Sequence, residues 1–118
     1  MPTARMRRVN EAVREVISTR VAEGLKDPRV GFVTVTSVDT SADLRQARVY
    51  VSILGDDESR QEALDGLGSS RGYLQSELAA QLTLKRTPTL EFLYDESIDH
   101  GMRITELLQA EAPSEERS

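Results

Sequence analysis

The chain has 118 residues, of which 38% are hydrophobic and 30% are charged, a length and balance typical of one small soluble domain. It contains no cysteine and one histidine, which excludes disulfides, thiolate metal sites, a cysteine nucleophile and any triad that needs two histidines. The net charge of −5 argues against a nucleic-acid partner, but residues 1–30 carry seven basic and four acidic groups, whereas residues 91–118 carry two and eight.

The first predicted element is an amphipathic helix that begins near Arg8 and ends before Pro28. Its apolar residues recur every three or four positions and form a stripe of Val9, Ala12, Val13, Val16, Ile17 and Val21. Arg20 interrupts this stripe, and we expect it to pack only its stem and extend its charged end past the last turn. No apolar run approaches the roughly 20 residues of a membrane span, so we expect a cytoplasmic protein without a membrane partner.

Two strands are predicted next, over residues 32–39 and 44–54, and their short link favours an antiparallel hairpin. Alternation in the first strand places Val33, Val35 and Ser37 on one face and Thr34, Thr36 and Val38 on the other. The second strand has an apolar face of Ala47, Val49, Val51 and Ile53.

Residues 58–83 read as a second helical region, which is interrupted by Gly66, Gly68 and Gly72. Each glycine costs about 1 kcal/mol relative to alanine inside a helix, so we expect two helices that meet at a break near residues 70–72. A third strand follows Pro88 over residues 90–95, then a short helical turn over 98–108 and a frayed acidic tail over 111–118. The order α-β-β-α-α-β predicts an α+β fold with helices on one face of a three-stranded sheet.

Two segments raise the question of catalysis or nucleotide binding. The glycines have the spacing GxGxxxG rather than GxGxxG, and they join two helical patterns rather than a strand and a helix, so a helix kink explains them better than a phosphate loop. His100 lies near Asp95, Glu96 and Asp99, but a solvated loop explains these residues as well as a catalytic base or a cation site does. We therefore expect no enzyme, no catalytic residue, no metal, no cofactor and no small-molecule substrate.

Basic side chains are the remaining candidates for a binding site. Arg5, Arg7 and Arg8 cluster without an acidic neighbour, although scattered cations on a soluble protein are often only a solvated surface. The full set of RNA- or ribosome-binding candidates is Arg5, Arg7, Arg8, Arg14, Lys26, Arg29, Arg45, Arg48, Arg71, Lys85 and Arg86.

Several motifs, taken in order, resemble a known family. They are KDPRVG (26–31), VTVT (33–36), SADL (41–44), ARVYVS (47–52), PTLEF (88–92), YDES (94–97) and GMRI (101–104). Over residues 5–108 this pattern is similar to that of the ribosome-binding factor A family. The resemblance implies a type II KH-like domain over 1–108 and an acidic, flexible tail over 109–118.

The resemblance also implies a site and a role. The family has a helical kink where an ordinary KH domain has its GxxG loop, and Ser70, Arg71 and Gly72 occupy the matching positions here. It implies a monomeric, non-enzymatic assembly factor that binds the free immature 30S subunit, assists late maturation and 5′-end processing of 16S rRNA, and is linked to cold adaptation. Arg20, where the family usually has an aliphatic residue, and the short C-terminal extension depart from the pattern.

An alternative interpretation is a protein-interaction or regulatory α+β domain that uses an exposed sheet edge and the acidic tail. We also expect Gly72 to lie where the two helices pack closely, so that a larger side chain there would destabilise the fold.

Overall fold

The computed structural model describes residues 3–97. The helical turn predicted over 98–108, the tail over 109–118, and the candidates Asp99 and His100 lie outside these residues.

The first helix, α1 (Ala4–Glu23), begins several residues earlier than the apolar stripe predicts. Thr3 caps it, because its side-chain oxygen accepts a hydrogen bond from the Met6 N–H at 3.1 Å. The helix ends at Gly24, whose φ of 103° favours glycine and whose N–H donates to the Val21 carbonyl oxygen. The predicted stripe is confirmed at Val13, Val16, Ile17 and Val21, which are buried.

Three strands form one sheet in the order β1-β2-β3. The predicted hairpin is confirmed, since β1 (Val33–Thr40) pairs antiparallel with β2 (Gln46–Ile53). The third strand, β3 (Thr89–Tyr94), pairs parallel with β2. The predicted apolar face of β2 is also confirmed, with Ala47, Val49, Val51 and Ile53 buried.

The predicted face of β1 is wrong beyond Val35, because a bulge lies at Thr36. The register passes from Val35 opposite Val51 to Ser37 opposite Tyr50, so no residue of β2 lies directly opposite Thr36. One extra residue moves all following side chains to the other face of a strand. Val38 is therefore buried together with Val35, and Ser37 is exposed.

The predicted helix break is confirmed. The second helix, α2 (Asp57–Ser69), and the third, α3 (Arg71–Gln81), meet at Ser70. The Ser70 N–H lies within hydrogen-bond distance of the carbonyl oxygens of Gly66 and Leu67, and its hydroxyl donates to that of Gly66 at 3.1 Å. A serine that bonds back to the preceding turn commonly bends a helix, which fits the break here.

The close approach expected at Gly72 is wrong, and the structure places it at Gly66. A Cβ atom on Gly66 would lie 2.7 Å from Val30 Cγ2 and 3.2 Å from the Val30 backbone nitrogen. A Cβ atom on Gly72 would meet no atom within 4 Å among the described residues. Gly66 therefore lets α2 pack against the segment that precedes β1, and the sequence alone could not show which glycine has this neighbour.

The core lies between the helices and the inner face of the sheet, as predicted. Its most completely buried side chains include Val13, Ile17, Val49, Val51, Leu67, Leu74, Leu78 and Leu90. None of the helices found within residues 3–97 is long and apolar enough to cross a membrane.

The prediction that the charged end of Arg20 extends past the last turn of α1 is wrong. Its Nη1 lies 2.8 Å from Glu23 Oε1 on the same helix, and its Nε lies 3.0 Å from Glu77 Oε1 on α3. The guanidinium thus bridges two helices at the edge of the core instead of extending past the end of α1.

Candidate functional site

Six of the eleven predicted cations lie at one end of the molecule, which we call the basic end: Arg5, Arg7, Arg8, Arg45, Lys85 and Arg86. The Asn10 side-chain oxygen accepts a hydrogen bond from the Thr40 N–H at 2.8 Å, which places the first turns of α1 beside the β1–β2 turn. The Thr89 N–H donates to the Arg45 carbonyl oxygen at 3.0 Å, which brings the segment before β3 to the same turn.

Asp43 contributes a carboxylate to this end, in the turn between β1 and β2. Arg45 Nε lies 3.3 Å from Asp43 Oδ2. Hydrogen bonds from the Ser41 hydroxyl and the Arg45 backbone N–H hold the pKa of Asp43 below its usual value, with the charges of Arg45 and Arg86 adding to the effect. The six exposed cations outnumber this carboxylate, so the basic end is positive.

The start of α1 carries an unfavourable charge arrangement. Its first turn contains no acidic residue, although carboxylates are the residues that stabilise the positive end of a helix dipole. Arg5, Arg7 and Arg8 are instead exposed there, each at a typical cost of about 0.3–1 kcal/mol. Residues that oppose the stability of their own helix are expected at functional positions, and exposed cations suit an anionic partner.

Three further cations, Lys26, Arg29 and Arg71, lie near the helix break at the other end of β1. Arg29 is held in place, because Nη2 lies 2.7 Å from Asp27 Oδ2 and donates to the Ser69 hydroxyl at 2.9 Å. The hydrogen bonds from Arg29 lower the pKa of Asp27 to about 2. This clamp fixes the loop after α1 against the end of α2.

A cleft of about 560 Å³ lies between that loop and the helix break. Its lining includes Lys26, Ser70 and the half-exposed ring of Tyr73. Tyr73 was not among the binding candidates predicted from the sequence, which were all basic residues.

The two remaining cations are neutralised by neighbouring carboxylates. Arg14 pairs with Glu11 one turn earlier on α1, and this contact lowers the pKa of Glu11. Arg48 lies on the open face of the sheet between Asp39 on β1 and Glu91 on β3, and its Nε is 3.6 Å from Glu91 Oε1. That face therefore has little positive potential, which sequence alone did not show because it depends on cross-strand register.

The candidate catalytic carboxylate Asp95 has a structural role. Its Oδ1 accepts hydrogen bonds from the Ser97 backbone and hydroxyl, and its Oδ2 lies 2.6 Å from the Thr36 hydroxyl oxygen. These bonds lower its pKa and connect β3 to the bulge of β1. Within residues 3–97 no group of three His, Cys, Asp or Glu side chains is arranged to hold a metal ion.

A small α+β layer with a cationic end formed by a helix start and strand turns is a form found among RNA-binding modules. The comparisons with known proteins are more specific. The family model of ribosome-binding factor A matches residues 5–108, and the chain belongs to that family.

Curated relatives agree with this assignment. The chain is 46% identical over 105 residues to ribosome-binding factor A of Geobacter sulfurreducens, covering 89% of each chain. It is 43% identical over 117 residues to that of Desulfitobacterium hafniense, covering 99% of this chain and 94% of the relative.

Solved structures of the family share the fold. The crystal structure of ribosome-binding factor A from Thermus thermophilus gives a TM-score of 0.66 at 28% identity, covering 75% of this chain and 94% of that one. A homology model of the T. thermophilus factor, as fitted into the cryo-EM map of its 30S complex, gives a TM-score of 0.60 at 29% identity, covering 74% of this chain and 91% of that one.

Proposed function

We propose that this chain is a non-enzymatic assembly factor that binds the free immature 30S subunit and assists late maturation of 16S rRNA, including processing of its 5′ end. The observation that carries the proposal is the basic end, where six exposed cations lie together. The T. thermophilus relative fitted into a 30S map supports the choice of partner.

The proposed contact is recognition of the phosphate backbone by the basic end. Arginine and lysine side chains bind phosphate oxygens and release counterions, which gives affinity that falls steeply with salt. We propose Arg5, Arg7, Arg8, Lys85 and Arg86 as the main contacts, with Arg45 partly engaged by Asp43.

The proposal extends to the setting of the protein. It acts in the cytoplasm as a monomer, through the KH-like domain of residues 1–108, and its importance increases in the cold, when misfolded rRNA is slow to rearrange. Its acidic tail, residues 109–118, stays away from the RNA because phosphate repels it.

Sedimentation of a cell extract through a sucrose gradient tests the proposal. We expect the protein in the fraction of free small subunits, absent from intact ribosomes, and released at high salt. Cells that lack the protein should accumulate 16S rRNA with an unprocessed 5′ end, measured by primer extension after a shift to low temperature. A protein that stays at the top of a low-salt gradient would refute subunit binding.

A further inference from the structure

An exposed apolar pair lies at the opposite end of the sheet from the basic end. Phe32 directly precedes β1 and is 83% exposed, and Leu54 directly follows β2 and is 78% exposed. The Leu54 N–H donates to the Phe32 carbonyl oxygen at 3.3 Å, so the two residues are neighbours. Single exposed apolar side chains are ordinary, but adjacent large ones are typical of interaction surfaces.

The pair borders a groove that can receive a partner side chain. The groove has a volume of about 410 Å³ and is lined in part by Pro28, Ile53 and Ala63. Phe32 and Leu54 thus lie beside a groove with an apolar part and a polar rim, a combination that suits an apolar anchor side chain of a partner.

The segment that follows Leu54 is mainly acidic. Residues 56–62 contain four carboxylates and one cation, and Glu62 itself lines the groove. The cation, Arg60, lies over the ring of Tyr94, with its Cζ 4.3 Å from the ring centre. Arg29 also lines the groove, but its guanidinium is engaged by Asp27. A phosphate backbone would be repelled here, whereas a basic polypeptide would be attracted.

We propose that Phe32, Leu54 and the carboxylates of residues 56–62 form a docking site for a basic protein segment that carries an apolar anchor residue. The choice of partner rests on the proposed function: on the immature small subunit, that segment belongs to a ribosomal protein rather than to rRNA. The chain's own residues 98–118 carry five acidic and two basic groups, so like charge disfavours them as the occupant.

Photo-crosslinking identifies the occupant directly. Phe32→p-benzoylphenylalanine keeps an exposed aromatic ring, and the labelled protein is irradiated in complex with small subunits purified from cells that lack the chain. We expect a crosslink to a basic peptide of a ribosomal protein, identified by mass spectrometry, and no such crosslink from the same label at Tyr73. Crosslinks only to rRNA, only to residues 98–118, or none at position 32 would overturn the proposal.

Affinity measurements separate this site from the basic end. The double variant Phe32→Ser, Leu54→Ser should bind small subunits at least tenfold more weakly, with an unchanged slope of log affinity against log salt because no phosphate contact is lost. Its melting temperature should not fall, since both side chains are exposed.

A matched pair of charge variants tests the acidic rim. Glu62→Gln and Gln61→Lys each raise the net charge by one unit at neighbouring positions of α2, but of the two residues only Glu62 lines the groove. Glu62→Gln should weaken binding and Gln61→Lys should not. If the wild type binds subunits and the double serine variant binds equally well, the docking site is refuted and the proposed function stands. If the wild type does not bind, the proposed function itself fails.

Discussion

Arg20 on α1 and Glu77 on α3 form an ion pair across the helix layer, with Arg20 Nε 3.0 Å from Glu77 Oε1. About a quarter of each side chain is exposed, so the pair lies at the boundary between the core and water. The approach is not aligned as a hydrogen bond, since the Arg20 Nε has no acceptor along its N–H direction among the described residues. The attraction is therefore mainly between the two charges.

We expect substitutions of Arg20 and Glu77 to change the free energy of unfolding in different directions. Glu77→Ala should lower the free energy of unfolding by about 1 kcal/mol, because it leaves a partly covered guanidinium without its partner on α3. The double variant Arg20→Leu, Glu77→Leu should be at least as stable as the wild type, since apolar residues of similar volume commonly replace such pairs without loss. Urea unfolding of the wild type, the double leucine variant and both single leucine variants measures the coupling energy between Arg20 and Glu77. An unchanged midpoint for Glu77→Ala would show that the pair contributes nothing.

We expect one added methyl group to have opposite effects on stability at Gly66 and at Gly68. Gly66→Ala should destabilise the protein by about 1–3 kcal/mol, because the new Cβ would lie 2.7 Å from the stiff, β-branched side chain of Val30 and close to its backbone. Gly68→Ala, two residues further along α2, should be neutral or stabilising by up to about 1 kcal/mol, since its nearest neighbour is Arg71 Nη2 at 3.9 Å. Thermal unfolding compares them, and equal melting temperatures would contradict the packing at Gly66.

Charge reversal distinguishes the two clusters of cations. Arg7→Glu, Arg8→Glu and Lys85→Glu together should abolish binding to small subunits at physiological salt. The milder Arg7→Gln, Arg8→Gln variant should reduce the slope of log affinity against log salt by about 1.4–1.8, because each lost phosphate contact removes roughly 0.7–0.9. Lys26→Glu, Arg71→Glu near the helix break is the control for a general charge effect. If the control loses as much affinity, the phosphate contact is not confined to the basic end.

The Asp27–Arg29 clamp predicts a contribution to stability that depends on pH. Arg29 lowers the pKa of the folded Asp27 from its ordinary 3.8 to about 2, so the contribution is fully present above the ordinary value and is lost as pH falls through about 2. Asp27→Asn keeps one oxygen for the Arg29 backbone N–H but removes the charge. The difference in melting temperature between wild type and variant should be constant near neutral pH and shrink between about pH 4 and pH 2. A difference that does not change over this range would show that the charge is not what stabilises the loop.

The elements that sequence predicted best are those determined by local periodicity. The stripe from Val13 to Val21 and the alternation from Ala47 to Ile53 each recur with the period of their element, and both are buried as expected. The helix break was also predictable, because glycines and serines in one short segment disfavour a straight helix.

The features that sequence missed depend on residues far apart in the chain. The bulge at Thr36 changes the face of Val38, and it is defined by pairing with β2 and by the contact with Asp95. Gly66 rather than Gly72 is the constrained glycine because Val30 lies against it. Neither relationship has a signature in the surrounding residues.

The candidate site was only partly predictable for a similar reason. The eleven cations were identifiable as a set, but Arg48 and Glu91 meet only through the register of β2 and β3. One signal was available in the sequence. A helix that packs antiparallel to the strand after it has its start beside the end of that strand, where the hairpin turn lies, and this groups Arg8 with Arg45.

The separation of charge along the sheet has a consequence for how the protein arrives at its target. The eight residues of β1 span about 23 Å, with the cations of the basic end near Thr40 and the carboxylates of residues 56–62 beyond Val33. Within residues 3–97 the densest cluster of cations thus lies at one end of the sheet, although Lys26, Arg29 and Arg71 lie towards the other end. If the proposed phosphate contact is correct, a polyanion attracts this cluster most strongly, and we expect encounters to begin with the start of α1 facing it. The electrostatic attraction then increases the association rate and also favours one orientation of the protein, even though its net charge is negative.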